Sequence, residues 1–164
     1  MKRITFLDGQ ILHDFHLNIM QKNIAEAIKV KTTLERYDML LLVSPYNYYF
    51  AELFIDESNK HSDSTAQLNT LTFSINSDEW ITKLLELPAA TDEICIQASY
   101  EDFPEQKSFV HFYYRTSEIN SWEKIDVDKP IYLISPTKYL QIKVHCVYDG
   151  TIRPTVYDFA VLLK

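Results

Sequence analysis

The residues best suited to chemistry are few and scattered. His13, Asp14 and His16 offer nitrogen and oxygen ligands, and the His13–His16 spacing places two imidazoles within reach of each other on a helix. No third ligand lies nearby, and Asp14 stands where a helix would begin, so the group reads as a helix start and no metal is expected. His145 and Cys146 are neighbours, but adjacent strand residues point to opposite faces, so the imidazole is badly placed to activate that thiol. Glu118, Glu123, Asp126 and Asp128 could supply a general acid and base. Their setting, SEINSWEKIDVDK, is polar, and water should leave them as ordinary surface carboxylates. Gly9 and Gly150 are the only glycines, which excludes a Gly-rich phosphate loop and with it a nucleotide cofactor. No catalytic residue and no cofactor are expected, and the chain reads as a non-enzyme.

Aromatic side chains are the richer signal: 11 Tyr and 9 Phe bring the aromatic share to 13%. Tyr48, Tyr113 and Trp122 are candidate stacking platforms for sugar rings, although each also fits a sheet core or a subunit contact. The net charge of −7, with no basic run, repels a phosphate backbone, so nucleic acid is not an expected partner. No segment has the roughly 20 apolar residues of a membrane span, and the opening shows no signal-peptide core, so cytoplasmic synthesis is expected.

Two kinds of element must position these residues. Asp8-Gly9 marks a turn between short extended arms, because Gly accepts positive φ without steric cost. From Phe15 to about Leu34 there is no Gly or Pro, and Ala, Glu, Lys, Gln and Met are frequent, which predicts a helix capped by Asp14. Within it Leu17, Met20, Ile24, Ala27 and Leu34 fall at a and d spacing with Lys31 as the polar intruder, while Ile28 and Val30 widen the stripe. Two readings stay open: a self-associating or docking helix, and an amphipathic helix lying on its own sheet.

The remainder alternates like half-buried sheet. Strands are predicted over 37–43, 46–55, 68–75, 80–87, 93–100, 109–115, 121–125, 130–134, 139–148 and 155–163, the segment 78–87 also tolerating a helical turn. Residues 56–67, DESNKHSDSTAQ, read as a mobile exposed loop and the chief internal break. Strand phase puts Leu140, Ile142, Val144, Cys146, Phe159 and Val161 in the core, and Lys143 and Cys95 on opposite faces from it, with both thiols free. The expected fold is therefore mainly β, an antiparallel jelly-roll-like sandwich over residues 37–164, preceded by a turn and an amphipathic helix over 1–36 for docking and oligomerisation.

Two stretches carry a resemblance. FLDGQIL followed by HDFHLNIMQKNIAEAI resembles the opening of many tail-fibre, baseplate and adaptor proteins of bacteriophages, matched here by Asp8, Gly9, Ile11, Leu12, Leu17 and Asn18. Residues 113–125, 138–144 and 154–159 resemble a hairpin, a strand and the closing strand of the galactose-binding-like sandwich of phage tail proteins, although the hairpins here almost lack glycine. The resemblance implies a structural or attachment component of a phage tail, baseplate or tail-like particle, located in the virion. It would be a homo-oligomer bound to other tail proteins through Asp8, Gly9, Ile11, Leu12, Leu17, Met20 and Ile24. A carbohydrate-binding module for host-surface glycans is the alternative.

Overall fold

The computed structural model describes residues 14–164, with side chains from Asn18 onward. The Asp8-Gly9 turn, His13, Ile11 and Leu12, and the side chains of Asp14, His16 and Leu17, lie outside the described residues.

Helix α1 runs over Asp14–Val43, which is 30 residues and about 45 Å. It continues well past the predicted end at Leu34, and residues 37–43 are its last two turns where a strand was predicted. A short apolar run such as YDMLLLV fits either period, and Leu and Met are good helix formers. The stop comes at Ser44-Pro45, where the residue before proline is pushed out of the helical region.

Seven strands follow: β1 Tyr48–Glu52, β2 Asp78–Ile81, β3 Leu85–Glu101, β4 Ser108–Arg115, β5 Glu123–Ile125, β6 Pro130–Tyr148 and β7 Thr155–Leu163. They pair antiparallel in the order β1-β7-β3-β6-β4-β5, with β2 on the other edge of β6. The fold is thus mainly β and sandwich-like. The 19-residue β6 joins the two layers: its first half, through Leu140, pairs with β3, and Gln141 to Tyr148 pair with β4. The predicted strands 130–134 and 139–148 are therefore one strand that changes layers, a common way for a sheet to fold over itself.

Between the layers lie Phe54, Trp80, Ile94, Ile96, Phe112, Ile142, Val144, Phe159 and Val161 with their neighbours. Leu140, Ile142, Val144, Phe159 and Val161 are all fully buried, as their strand phase requires, and Cys146 packs beside them. Trp80 meets Phe54 edge to face at 5.1 Å, which fixes 78–81 as strand and not helix. The predicted strand 80–87 breaks after Ile81, where Thr82 donates its amide to the Ile142 carbonyl at 2.9 Å but accepts the Ile142 amide at its hydroxyl, 3.0 Å away, its own carbonyl being taken by the Gln141 side chain.

One expectation fails in the connections. Residues 68–75 form a tight turn, because the Asn69 carboxamide oxygen accepts the amides of Leu71 and Thr72 and so competes with a ladder. Residues 56–67 form an irregular, mostly exposed segment that is nonetheless pinned to the sheet. The amides of His61, Thr65 and Ala66 donate to Ile81 and Glu79 carbonyls at 2.8 to 2.9 Å, covering the open edge of β2, and Ala66 is fully buried.

Candidate assembly interface

On β7 the residues facing away from the core are Asp158, Ala160 and Leu162, and α1 lies over that face. An Asp in the middle of the apolar strand TVYDFAVLL requires a partner, and α1 supplies two. Tyr37 donates its hydroxyl to Asp158 Oδ1 at 2.6 Å, and Arg36 forms an ion pair with the same carboxylate while stacking over the Tyr37 ring at 4.6 Å. Two turns earlier, Lys29 Nζ donates to the carbonyls of Phe73 and Tyr157. Burial, partly opposed by Asp158 and Glu52, lowers the Lys29 pKa to about 8. Burial and then the Asp158 charge push the Tyr37 phenol upward. Tyr49 on β1 closes the contact, donating to Asp38 at 2.9 Å with its ring 5.8 Å from that of Tyr37.

The inward face of α1 follows Ile19, Asn23, Glu26, Val30, Thr33, Tyr37 and Leu40, a spacing of alternating four and three. Opposite lies a second stripe that no described element covers. Met20, Ile24, Ile28, Met39 and Leu42 are exposed by 41, 56, 58, 61 and 80%, and Val43 extends the end. Lys31 and Glu35, 3.9 Å apart, sit in its middle. The stripe steps four, four, three along 20, 24, 28, 31, 35, 39 and 42, an 11-residue repeat close to the natural pitch of a straight helix. One face of α1 thus lies on the sheet, as the amphipathic reading expects, and the opposite face is open among the described residues. At about 33 Å by 10 Å, the open face has a footprint in the range of patches that mark interaction sites. Of the sequence-predicted interface residues, Met20 and Ile24 fall on it. The Asp158, Arg36 and Lys29 clamp was not foreseen, and its signal was the lone Asp inside an apolar strand.

The aromatic candidates separate. Tyr113 and Trp122 meet across Lys143, whose ammonium lies 4.8 and 5.2 Å from the two ring centres. Arg115 stacks on Trp122 at 4.3 Å, held by Gln141 at 2.6 Å and the Glu118 carbonyl at 2.7 Å. Lys143 also donates to Glu79 at 3.1 Å. The indole is thereby engaged by the chain's own cations, which suits a rigid sheet face better than an open sugar platform. Tyr48 stands apart on β1, 46% exposed, at a cavity of about 420 Å³ shared with Asn47, Pro88, Ala89, Ala90, Thr91 and Lys164.

The four carboxylates have different surroundings. Glu123 accepts the Tyr114 hydroxyl at 2.7 Å, and burial followed by this bond raises that phenol to about 12. Glu118 lies 3.7 Å from His61 Nε2, and Asp126 pairs with Lys129, which lowers its pKa. Asp128 adopts a positive φ of 65° in a turn. A cavity of about 250 Å³ is lined by Glu123, Tyr114, Arg115 and Leu133, without Glu118, Asp126 or Asp128. Cys95 and Cys146 are buried free thiols, and burial raises Cys146 to about 12, far from a reactive thiolate. His145 faces Glu79 on the outer side of β6, away from Cys146. Among the described residues no three His, Cys, Asp or Glu gather as a metal site, and no helix is long and apolar enough to cross a membrane.

No protein-family model and no curated protein sequence matches the chain. Among solved structures, the accessory secretory proteins 1, 2 and 3 of Streptococcus pneumoniae give a TM-score of 0.40 at 10% identity, covering 66% of this chain and 92% of that one. A family two carbohydrate esterase from Cellvibrio japonicus gives 0.39 at 9% identity, covering 71% of this chain and 33% of the esterase.

Proposed function

We propose that this chain is a structural component that works by protein–protein assembly, of the kind found in phage tails, baseplates and tail-like particles. The observation that carries the reading is the pair of opposed faces on α1. One face is fixed to the sandwich through Asp158, Arg36, Tyr37 and Lys29, and the other presents Met20, Ile24, Ile28, Met39 and Leu42 to solvent. A helix held rigidly with an apolar stripe outward is prepared for a partner, since little ordering entropy remains to be lost on binding. The resemblance of the opening residues to tail adaptor proteins supplies the particle type. On this reading the sandwich is a carrier, the partners are other tail proteins and copies of the chain, and no turnover is involved.

The test is mass spectrometry and antibody labelling of purified tails or tail-like particles from a producing culture. The protein should be present at fixed stoichiometry and label one position along the particle. Its absence from particles that contain the other tail proteins would contradict the assignment.

A second reading, a carbohydrate-binding module, is favoured by one observation: the Tyr48 ring stands half exposed at its 420 Å³ cavity. Retention of the protein on isolated cell-wall glycan, abolished by Tyr48→Ala, would favour this reading over the first.

A further inference from the structure

Three carboxylates are buried among the described residues, and two of them are paired: Asp158 with Arg36 and Tyr37, and Glu93 with Lys164 and Tyr46. The third, Glu52 at the end of β1, is 3% exposed and makes no ion pair among the described residues. The Phe54 amide donates to its Oε1 at 3.1 Å, while Oε2 is buried with no hydrogen-bond partner among those residues. Lys29 on α1 is near enough for Glu52 to act on its charge, but its ammonium is committed to the carbonyls of Phe73 and Tyr157. An orphan oxygen on a buried carboxylate is costly and calls for a ligand. Glu52 lines a cavity of about 190 Å³ together with Leu53, Asp56, Ser58 and Asn59. There Ser58, whose hydroxyl and amide both bond to Asp56, holds that second carboxyl below its usual pKa and therefore charged.

We propose that this cavity is a Ca²⁺ site in which Glu52 and Asp56 supply the charge and Ser58, Asn59 and backbone carbonyls of the 53–59 segment complete the shell. The donors are all oxygen, carboxylate, hydroxyl, carboxamide and carbonyl, which selects a hard cation over zinc or copper. Two carboxylates suffice for such an ion, because neutral oxygens and water fill the remaining positions. Calcium accepts an irregular shell of this kind, whereas magnesium demands a near-octahedral one and keeps more of its water. The two positive charges match the two carboxylates and give Oε2 of Glu52 its partner. Bound there, the ion ties the end of edge strand β1 to the segment that leads into the Lys60 bridge with Thr82. The site stands apart from the open face of α1 and does not depend on the assembly role.

Calcium titration of the full chain, stripped with EDTA and dialysed, tests the site. Calorimetry with CaCl₂ should show one site per chain with a Kd of about 10⁻⁴ to 10⁻³ M, the range of calcium sites with few charged ligands. Saturating CaCl₂ should raise Tm, and NaCl at equal ionic strength should not. Asp56→Asn, changed at an exposed position so that the fold is not at stake, and Glu52→Gln should each weaken binding by about tenfold or more. Glu57→Gln removes a neighbouring carboxylate that pairs with Lys60 and does not line the cavity, and it should bind as the natural chain does. Calcium binding left intact in Asp56→Asn and Glu52→Gln would place the ion elsewhere and overturn the proposal. So would the lack of any saturable heat or Tm rise with CaCl₂, which would leave Glu52 as a buried acid relieved by protonation alone.

Discussion

The hydroxyl of Tyr37 donates to Asp158 at 2.6 Å across the boundary between α1 and β7, joining residues 121 positions apart in sequence. This bond, with the Arg36 ion pair on the same carboxylate, sets the rotation of α1 on the sheet. It therefore decides which helix residues face solvent.

Loss of that bond should loosen the helix. Tyr37→Phe removes one hydrogen bond to a buried carboxylate and is expected to lower stability by about 1.5 to 3 kcal/mol in urea denaturation. Arg36→Lys keeps the charge but loses the stacked guanidinium, and should have a smaller effect. Equal or negligible losses from both would show that α1 is held by apolar contact alone.

Glu52 links stability to pH. Burial, opposed by the Phe54 amide that donates to its carboxylate, lifts its pKa from 4.5 to about 7. Between those values the native state binds more protons than the unfolded chain, so stability falls as pH rises, and the cost is complete above about pH 7. Glu52→Gln should therefore be more stable than the natural chain by about 1 to 3 kcal/mol at pH 8 and nearly equal to it at pH 4. A difference that does not vary with pH would show that Glu52 is solvated.

On β6 the two faces should respond to mutation through different physics. Ile142→Ala opens a cavity in the core and should cost about 2 to 5 kcal/mol. Lys143 is expected from sequence to be a neutral surface residue, but its ion pair with Glu79 and its place between Tyr113 and Trp122 raise the expected cost of Lys143→Ala to about 1 kcal/mol. Trp122→Ala should cost a similar amount through the same cluster. Thermal melts of the three variants check the order, and a Lys143→Ala chain as damaged as Ile142→Ala would mean the strand register is wrong.

Period-two patterning made the sandwich legible because β4, β6 and β7 each bury one face against a single core: Leu140, Ile142 and Val144 alternate with residues that stay outside it. Residues 37–43 were not legible. Their apolar run fits helix or strand equally, and what decides is Tyr37 reaching an aspartate 121 residues later. The polar stretch 56–67 was legible as an exposed irregular segment, but the pairing of its backbone amides with β2 was not, since its side chains remain hydrophilic. Of the interface, the a and d stripe showed Met20 and Ile24, but the extension through Met39 and Leu42 depends on the helix continuing past Leu34. The engagement of Trp122 by Arg115 and Lys143 depends on cross-strand pairing that no local pattern reports.

The account rests on the outward face of α1 being an interface, and sedimentation velocity of the natural chain beside Met20→Glu/Ile24→Glu tests this most directly. Both substitutions fall on exposed positions, so circular dichroism and melting temperature should be unchanged. At tens of micromolar the natural chain should sediment at twice the chain mass and the double variant as a monomer. Identical sedimentation of the two proteins would contradict the account.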